Sequence, residues 1–149
     1  MKTMPTFVTV ALSDKLQKSQ IYCFRFVFDL KRDDHITPYF IRSNILKLPD
    51  LKHVKILTIL FSMLKSGEPK YFSETFEFVS QAGVRNTRSG SSLLRMPQHR
   101  SAVYDKSFTV TACRLWNSLS DEIKSIQSRP RFVGALKNLY FEQMSAVGS

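Results

Sequence analysis

Apolar residues return at helical spacing between about residues 13 and 31. Leu16, Cys23, Val27 and Leu30 form one stripe, and Ile21, Phe24 and Phe28 form a neighbouring one. This period predicts an amphipathic helix with a wide apolar face, with Ser13 as its N-cap and Asp14 in its first turn. Lys18, Tyr22, Arg25, Asp29 and Arg32 line the other side, where Arg25 and Asp29 are spaced as an i,i+4 ion pair. Asp33-Asp34-His35 breaks the pattern. Thr37-Pro38 reads as an N-cap and first-turn proline opening a short helix to about residue 46. Pro49-Asp50 opens a longer helix. Val54, Leu57, Phe61 and Leu64 are its expected buried stripe, backed by Ile56, Leu60 and Met63. Lys52, Lys55, Thr58, Ser62 and Lys65 are its expected polar stripe. Gly67 and Pro69 end it, and residues 69–72 begin one further short helix.

The pattern changes at residue 81. Residues 81–92 are rich in Gly, Arg, Asn, Thr and Ser and read as a flexible linker. Leu93-Leu94-Arg95-Met96 then reads as a short extended apolar patch before Pro97. Ser107 caps a helix on which Phe108, Ala112, Leu115, Trp116 and Leu119 share a face. Ser120 with Asp121 caps a short turn through Ile123 and Ile126. Ser128-Arg129-Pro130 opens a final helix burying Phe132, Leu136, Leu139 and Tyr140. The expected fold is all-α, with two small helical lobes, 13–80 and 93–149, joined by the flexible basic linker 81–92.

Composition narrows the class. Of 149 residues, 43% are hydrophobic and twelve are Phe, too apolar for a wholly disordered chain. Net charge is +10, which points to a polyanionic partner. The excess is uneven: residues 80–131 hold nine Lys and Arg against three Asp and Glu, and seven of the nine are Arg. Arginine's planar fork suits phosphate. Cys23 and Cys113 are isolated and the three His are scattered, so no zinc-ligand spacing occurs. His35 and His99 read as surface side chains. The apolar runs are too short to span a membrane, and residues 1–12 resemble a secretory signal only weakly, since the run from Phe7 to Leu12 is short, interrupted by Thr9 and without a clear cleavage site; secretion is not expected.

The segment Ser107-Phe108-Thr109-Val110-Thr111-Ala112-Cys113-Arg114-Leu115-Trp116-Asn117-Ser118-Leu119 resembles the tail of non-LTR retrotransposon reverse transcriptases of the jockey-like group. In that family the tail runs Pro-x-x-Arg, Ser-Phe, Arg-Leu-Trp-Asn-x-Leu-Pro, then a Ser-x-x-x-Phe helix. The positions here are Pro97 and Arg100, Ser107-Phe108, Arg114 to Leu119, and Ser128 to Phe132. Upstream, Leu16-Gln17-Lys18, then Phe24 to Leu30, then Asp34-His35-Ile36-Thr37-Pro38-Tyr39 resemble the helical region at and beyond the family's thumb. Pro69-Lys70-Tyr71-Phe72 resembles its Pro-x-Tyr-Leu helix start. The likeness covers residues 16–141. Ser120 departs from the family's Pro, Ile21 from an Asn, and residues 1–12 match nothing in it.

The resemblance implies a non-catalytic C-terminal, thumb-and-tail fragment of an RNA-directed DNA polymerase. Polymerase chemistry needs carboxylates converging on two metal ions. The one Asp pair, Asp33-Asp34, sits at a helix end and reads as a solvated stop. No catalytic residue, metal site or cofactor is expected. The expected partner is the phosphate backbone of RNA or DNA, bound without sequence preference by Arg85, Arg88, Arg95, Arg100, Lys106, Arg114, Lys124, Arg129 and Arg131. A second expected partner is the missing polymerase domain or another protein; a membrane is not expected. Trp116 reads as core in preference to a base-stacking platform, and Arg114 and Asn117 flank its stripe where a partner could meet them. The competing readings are a co-opted helical interaction module and an inert transposon remnant. The expected location is intracellular, in nucleus or cytoplasm.

Overall fold

The computed structural model describes residues 10–80, 92–98 and 100–147. They form eight helical segments: α1 (Val10–Val27), α2 (Thr37–Arg42), α3 (Leu48–Ser66), α4 (Lys70–Ser73), α5 (Ala102–Asp105), α6 (Phe108–Asn117), α7 (Asp121–Lys124) and α8 (Arg129–Val147). No strand occurs among the described residues; one isolated antiparallel bridge joins Phe78 to Leu94. The fold is all-α, as the apolar periodicity implies. Among the described residues, no helix is long and apolar enough to cross a membrane. The chain divides into two compact units, Met1–Lys52 with Leu136–Ser149, and His53–Ala135. The helices flanking 81–92, α4 and α5, fall in the same unit. Residues 81–91, the bulk of the expected linker, lie outside the described residues.

In the first unit α1 is shifted from its expected bounds and rotated from its expected face. It begins at Val10, which places Ser13 inside the helix. It ends before Lys31 because Asp29 takes a left-handed conformation, φ 50°, and Leu30 N–H donates back to Arg25 C=O at 2.8 Å. That six-to-one bond closes a Schellman turn. Asn44, φ 54°, ends α2 the same way, with Ile45 N–H on Phe40 C=O at 3.1 Å. The expected Arg25–Asp29 pair is replaced: the Arg25 guanidinium donates to the carbonyls of Lys31 and Asp34. Asp34 Oδ2 accepts Lys31 N–H at 2.7 Å, so this acid closes the turn after α1. Thr37 lies within α2, and Ile36 holds the cap position with no side-chain bond.

The buried side of α1 carries Phe24, stacked on fully buried Phe40 with ring centroids 4.1 Å apart. It also carries two glutamines. Gln17 Oε1 accepts Leu48 N–H at 2.9 Å and Gln20 Nε2 donates to Leu46 C=O at 3.0 Å. These bonds satisfy an open N–H at the start of α3, a task usually left to a capping side chain. The orientation leaves Leu16, Cys23, Val27 and the 88% exposed Phe26 facing outward. The stripe that periodicity assigned to the core is therefore largely solvent-facing.

The second unit is built on aromatic packing. Phe61 of α3 stacks on Phe132 of α8 at 4.4 Å, Trp116 of α6 lies 6.1 Å from Phe132, and Phe76 meets Phe108 edge-on at 6.3 Å. Val54, Leu57 and Phe61 are buried as the period predicts. Thr58, expected among the polar stripe, is buried too. Its hydroxyl donates to Val54 C=O at 2.6 Å, which removes the cost of burying it. Ser107 caps α6 as expected, accepting Val110 N–H, and Gly67 ends α3 with φ 68°. Ser120 holds the cap position of α7 without a side-chain bond.

The two cysteines differ sharply. Cys23 is exposed, while Cys113 is fully buried and burial pushes its thiol up to about 11. Its Sγ–H donates to Arg95 C=O at 3.7 Å. Thiolate is the reactive form. A water-soluble disulfide reagent is therefore expected to titrate one thiol, Cys23, in the native protein and both after denaturation. Fast reaction of both in native buffer would place Cys113 outside the core.

Candidate nucleic-acid interface

The residues around Trp116 and Asn117 position the segment that carries Arg95. Phe78 and Leu94 face each other across an antiparallel bridge, with Val79 N–H on Leu93 C=O at 2.9 Å and Arg95 N–H on Glu77 C=O at 2.8 Å. The backbone groups of Leu94 itself point the opposite way. There Asn117 takes both: its Oδ1 accepts Leu94 N–H at 2.8 Å and its Nδ2 donates to Leu94 C=O at 2.9 Å. One turn of α6 thus supplies the hydrogen bonds a second neighbouring strand would have made. Trp116 Nε1–H donates to Ser92 C=O at 3.0 Å, and the Ser92 hydroxyl donates to Asp121 Oδ1 at 2.6 Å. The Ser92 hydroxyl, then Lys124, hold the Asp121 carboxyl below its usual range. The Trp116-Asn117 pair is a clasp on residues 92–94. Trp116, 5% exposed, presents no free ring face for a base, and Asn117 is turned inward, not toward a partner.

The nine basic positions expected to meet phosphate separate into groups. Arg85 and Arg88 lie outside the described residues, as does His99. Three others are paired with carboxylates. Arg95 lies 3.5 Å from Glu77, Arg114 lies 2.8 Å from Asp105, and Lys124 lies 3.7 Å from Asp121 with its side chain only 5% exposed. The cleft beside Arg95, about 290 Å³, is also lined by Glu74 and Glu77, an unfavourable wall for an anion. Arg100, Lys106, Arg129 and Arg131 are exposed and make no ion pair among the described residues. Lys106 caps the end of α5, and Arg129 and Arg131 stand in the first turn of α8. All seven described positions belong to the second unit.

The first unit holds a second basic feature that the charge count along the chain passes over. An open cleft of about 690 Å³ is lined by Lys18, Ile21, Tyr22, Arg25 and Arg32. Periodicity had placed four of these on the polar side of α1 without assigning them a task. Among the described residues, no three His, Cys, Asp or Glu side chains are grouped to hold a metal ion, and His35 stands exposed in the loop before α2. No known protein family, characterised protein or solved structure matches this chain.

Proposed function

We propose that the chain is the thumb-and-tail portion of a jockey-like non-LTR retrotransposon reverse transcriptase, that it carries no polymerase chemistry of its own, and that it binds RNA or DNA through phosphates without reading sequence. The reading rests on the order and spacing of the motifs from Leu16 to Phe141. The observation that carries its binding half is the set Arg100, Lys106, Arg129 and Arg131, exposed and without an ion pair among the described residues, in a chain of net charge +10. Such charges condense on phosphates and release counterions, with no ordered array of donors to read base edges. On this reading the chain acts inside the cell, in nucleus or cytoplasm.

The ion pairs refine which positions matter. Replacing Arg100, Lys106, Arg129 and Arg131 by Ala is expected to weaken binding alike on two unrelated RNAs and one DNA. It is also expected to flatten the log–log salt dependence on single strands by about 2.8, at roughly 0.7 per phosphate contact. Replacing Arg95 and Arg114 is expected to do less, because Glu77 and Asp105 already neutralise them. Titrations at several salt concentrations decide it. A quadruple variant that binds like the parent, or an affinity indifferent to salt, would remove the nucleic-acid reading.

A specific observation favours one alternative, a helical protein-interaction module. Leu12, Leu16, Phe26 and Val27 leave an apolar stripe of α1 open to solvent, and stripes of that kind are covered by partners in many proteins.

A further inference from the structure

The face of α1 that bears the cleft has a composition unlike the rest of the helix. Lys18, Tyr22 and Arg25 follow one another at i, i+4 and i+7, so they lie along one side. Arg32, from the loop beyond the helix, brings a third cation to the same opening, and Ile21 is the one aliphatic side chain in its lining. None of the described lining side chains is acidic. The loop that carries Arg32 also holds three acids: Asp29 and Asp33 are exposed and outside the cleft lining, and Asp34 has its carboxylate turned to Lys31 N–H at 2.7 Å.

Arg25 is the fixed point. Its two terminal nitrogens donate to the Lys31 and Asp34 carbonyls. Neutral acceptors orient the guanidinium without cancelling its charge, and three of its five N–H groups remain for a ligand. Lys18, Arg25 and Arg32 make no ion pair among the described residues, so none of the three lining cations is matched by a direct carboxylate contact there. Between the two helical cations stands Tyr22, 71% exposed. Lys18 and Arg25 are about 10 Å apart along the helix axis, too far for one phosphate to engage both. A fitting ligand carries at least two anionic groups with a planar or apolar moiety between them.

We propose that this cleft is a binding site for single-stranded nucleic acid, with successive phosphates on Lys18, Arg25 and Arg32 and an unpaired base stacked on Tyr22. Aromatic platforms flanked by cations are the general solution for single strands, because every base offers a π face while the backbone supplies the charge. The site lies in the first unit, apart in sequence from the seven described basic positions of the second. It adds to the reading above a preference for unpaired strands, which phosphate contacts alone do not give.

The test uses the full chain, a short labelled oligouridylate and the matching duplex, titrated at several salt concentrations. Lys18→Ala with Arg32→Ala removes two exposed cations that make no side-chain ion pair among the described residues. This double variant is expected to flatten the single-strand salt slope by about 1.4. Tyr22→Ala is expected to weaken the single strand about tenfold or more while leaving the duplex unchanged, and Tyr22→Phe to restore it. Inorganic pyrophosphate is expected to compete weakly and without regard to Tyr22. Far-UV circular dichroism of each variant should overlay the parent, since all three side chains are surface positions. The proposal is overturned if these variants bind with the parental slope and affinity while the Arg100, Lys106, Arg129 and Arg131 variant does not; the reading above then stands. The reverse pattern supports the cleft and removes the second-unit surface. Displacement by oligoglutamate as effective as by oligouridylate, with no dependence on Tyr22, reduces the cleft to a plain basic patch and overturns the proposal. Absence of binding to any strand overturns both.

Discussion

Trp116→Ala is expected to lower the unfolding free energy by about 3–5 kcal/mol, the usual range for truncating a buried large aromatic. Three losses combine. The indole is 5% exposed and leaves a cavity that the ring of Phe132, 6.1 Å away and itself stacked on Phe61, cannot fill without breaking its own packing. The Nε1–H bond to Ser92 C=O disappears, leaving that carbonyl to find another donor. The tie between α6 and residues 92–94 then rests on Asn117 alone. Trp116→Phe separates these terms, since it keeps most of the apolar volume and deletes the donor; it should cost less than the alanine change by the worth of the lost packing. Because Trp116 is the sole tryptophan, denaturation is best followed by far-UV circular dichroism. An alanine variant within about 0.5 kcal/mol of the parent would mean the ring is not core.

The sequence was most legible where a local rule and a tertiary need agree. Gly67 with Pro69 marks the end of α3 because a left-handed residue is needed there, and Gly takes it at little cost. Ser107 marks the start of α6 because the open N–H groups of a helix need an acceptor. Val54, Leu57 and Phe61 follow the helical period because α3 packs along one face. The pattern failed for α1. Its apolar stripe was legible, but its burial was not, since periodicity states which residues share a face and not which face meets the protein. Gln17 and Gln20 won that face through long-range hydrogen bonds to Leu46 and Leu48, twenty-six or more residues away, which no window over α1 can reveal.

The same limit governs the candidate sites. Counting charge along the chain found the basic excess of 80–131 but could not see that Arg95, Arg114 and Lys124 spend their charge on Glu77, Asp105 and Asp121. Arg114 and Asp105 are nine residues apart, a separation with no helical register to betray it, and Arg95 meets Glu77 only because the Phe78–Leu94 bridge sets them opposite each other, a long-range pairing that no local window reveals. The α1 cleft was missed for the opposite reason. Lys18, Tyr22 and Arg25 looked like an ordinary polar face, and only the loop that brings Arg32 back toward the helix makes them a concavity. The i, i+4, i+7 spacing of cation, aromatic and cation was the signal available in the sequence.

Asn117→Leu is expected to cost about 2–4 kcal/mol, because it strands two buried backbone groups at once. Leu94 is 1% exposed, and its N–H and C=O are both directed at the Asn117 amide, at 2.8 and 2.9 Å. No water-facing route is open to a backbone so deeply placed, and the Phe78 bridge engages its neighbours and not Leu94 itself. Leucine keeps the volume and removes the amide, so the loss reports the hydrogen bonds and not a cavity. Asn117→Asp offers a sharper variant: the carboxylate can still accept Leu94 N–H but faces Leu94 C=O with another oxygen. Its protonated form restores a donor, so the folded state should bind that proton more tightly than the unfolded chain does. Folded-state affinity for the proton raises the carboxyl pKa, and stability is then expected to be highest below the ordinary Asp range and to fall as pH rises toward the raised value. Asn117→Leu should lack that dependence. Combined with Trp116→Phe, which deletes the neighbouring bond to Ser92, the double variant should depart from additivity, since both side chains hold the same three-residue segment. Strict additivity, or an Asn117→Leu cost within about 0.5 kcal/mol of zero, would show that residues 92–94 are held without this clasp.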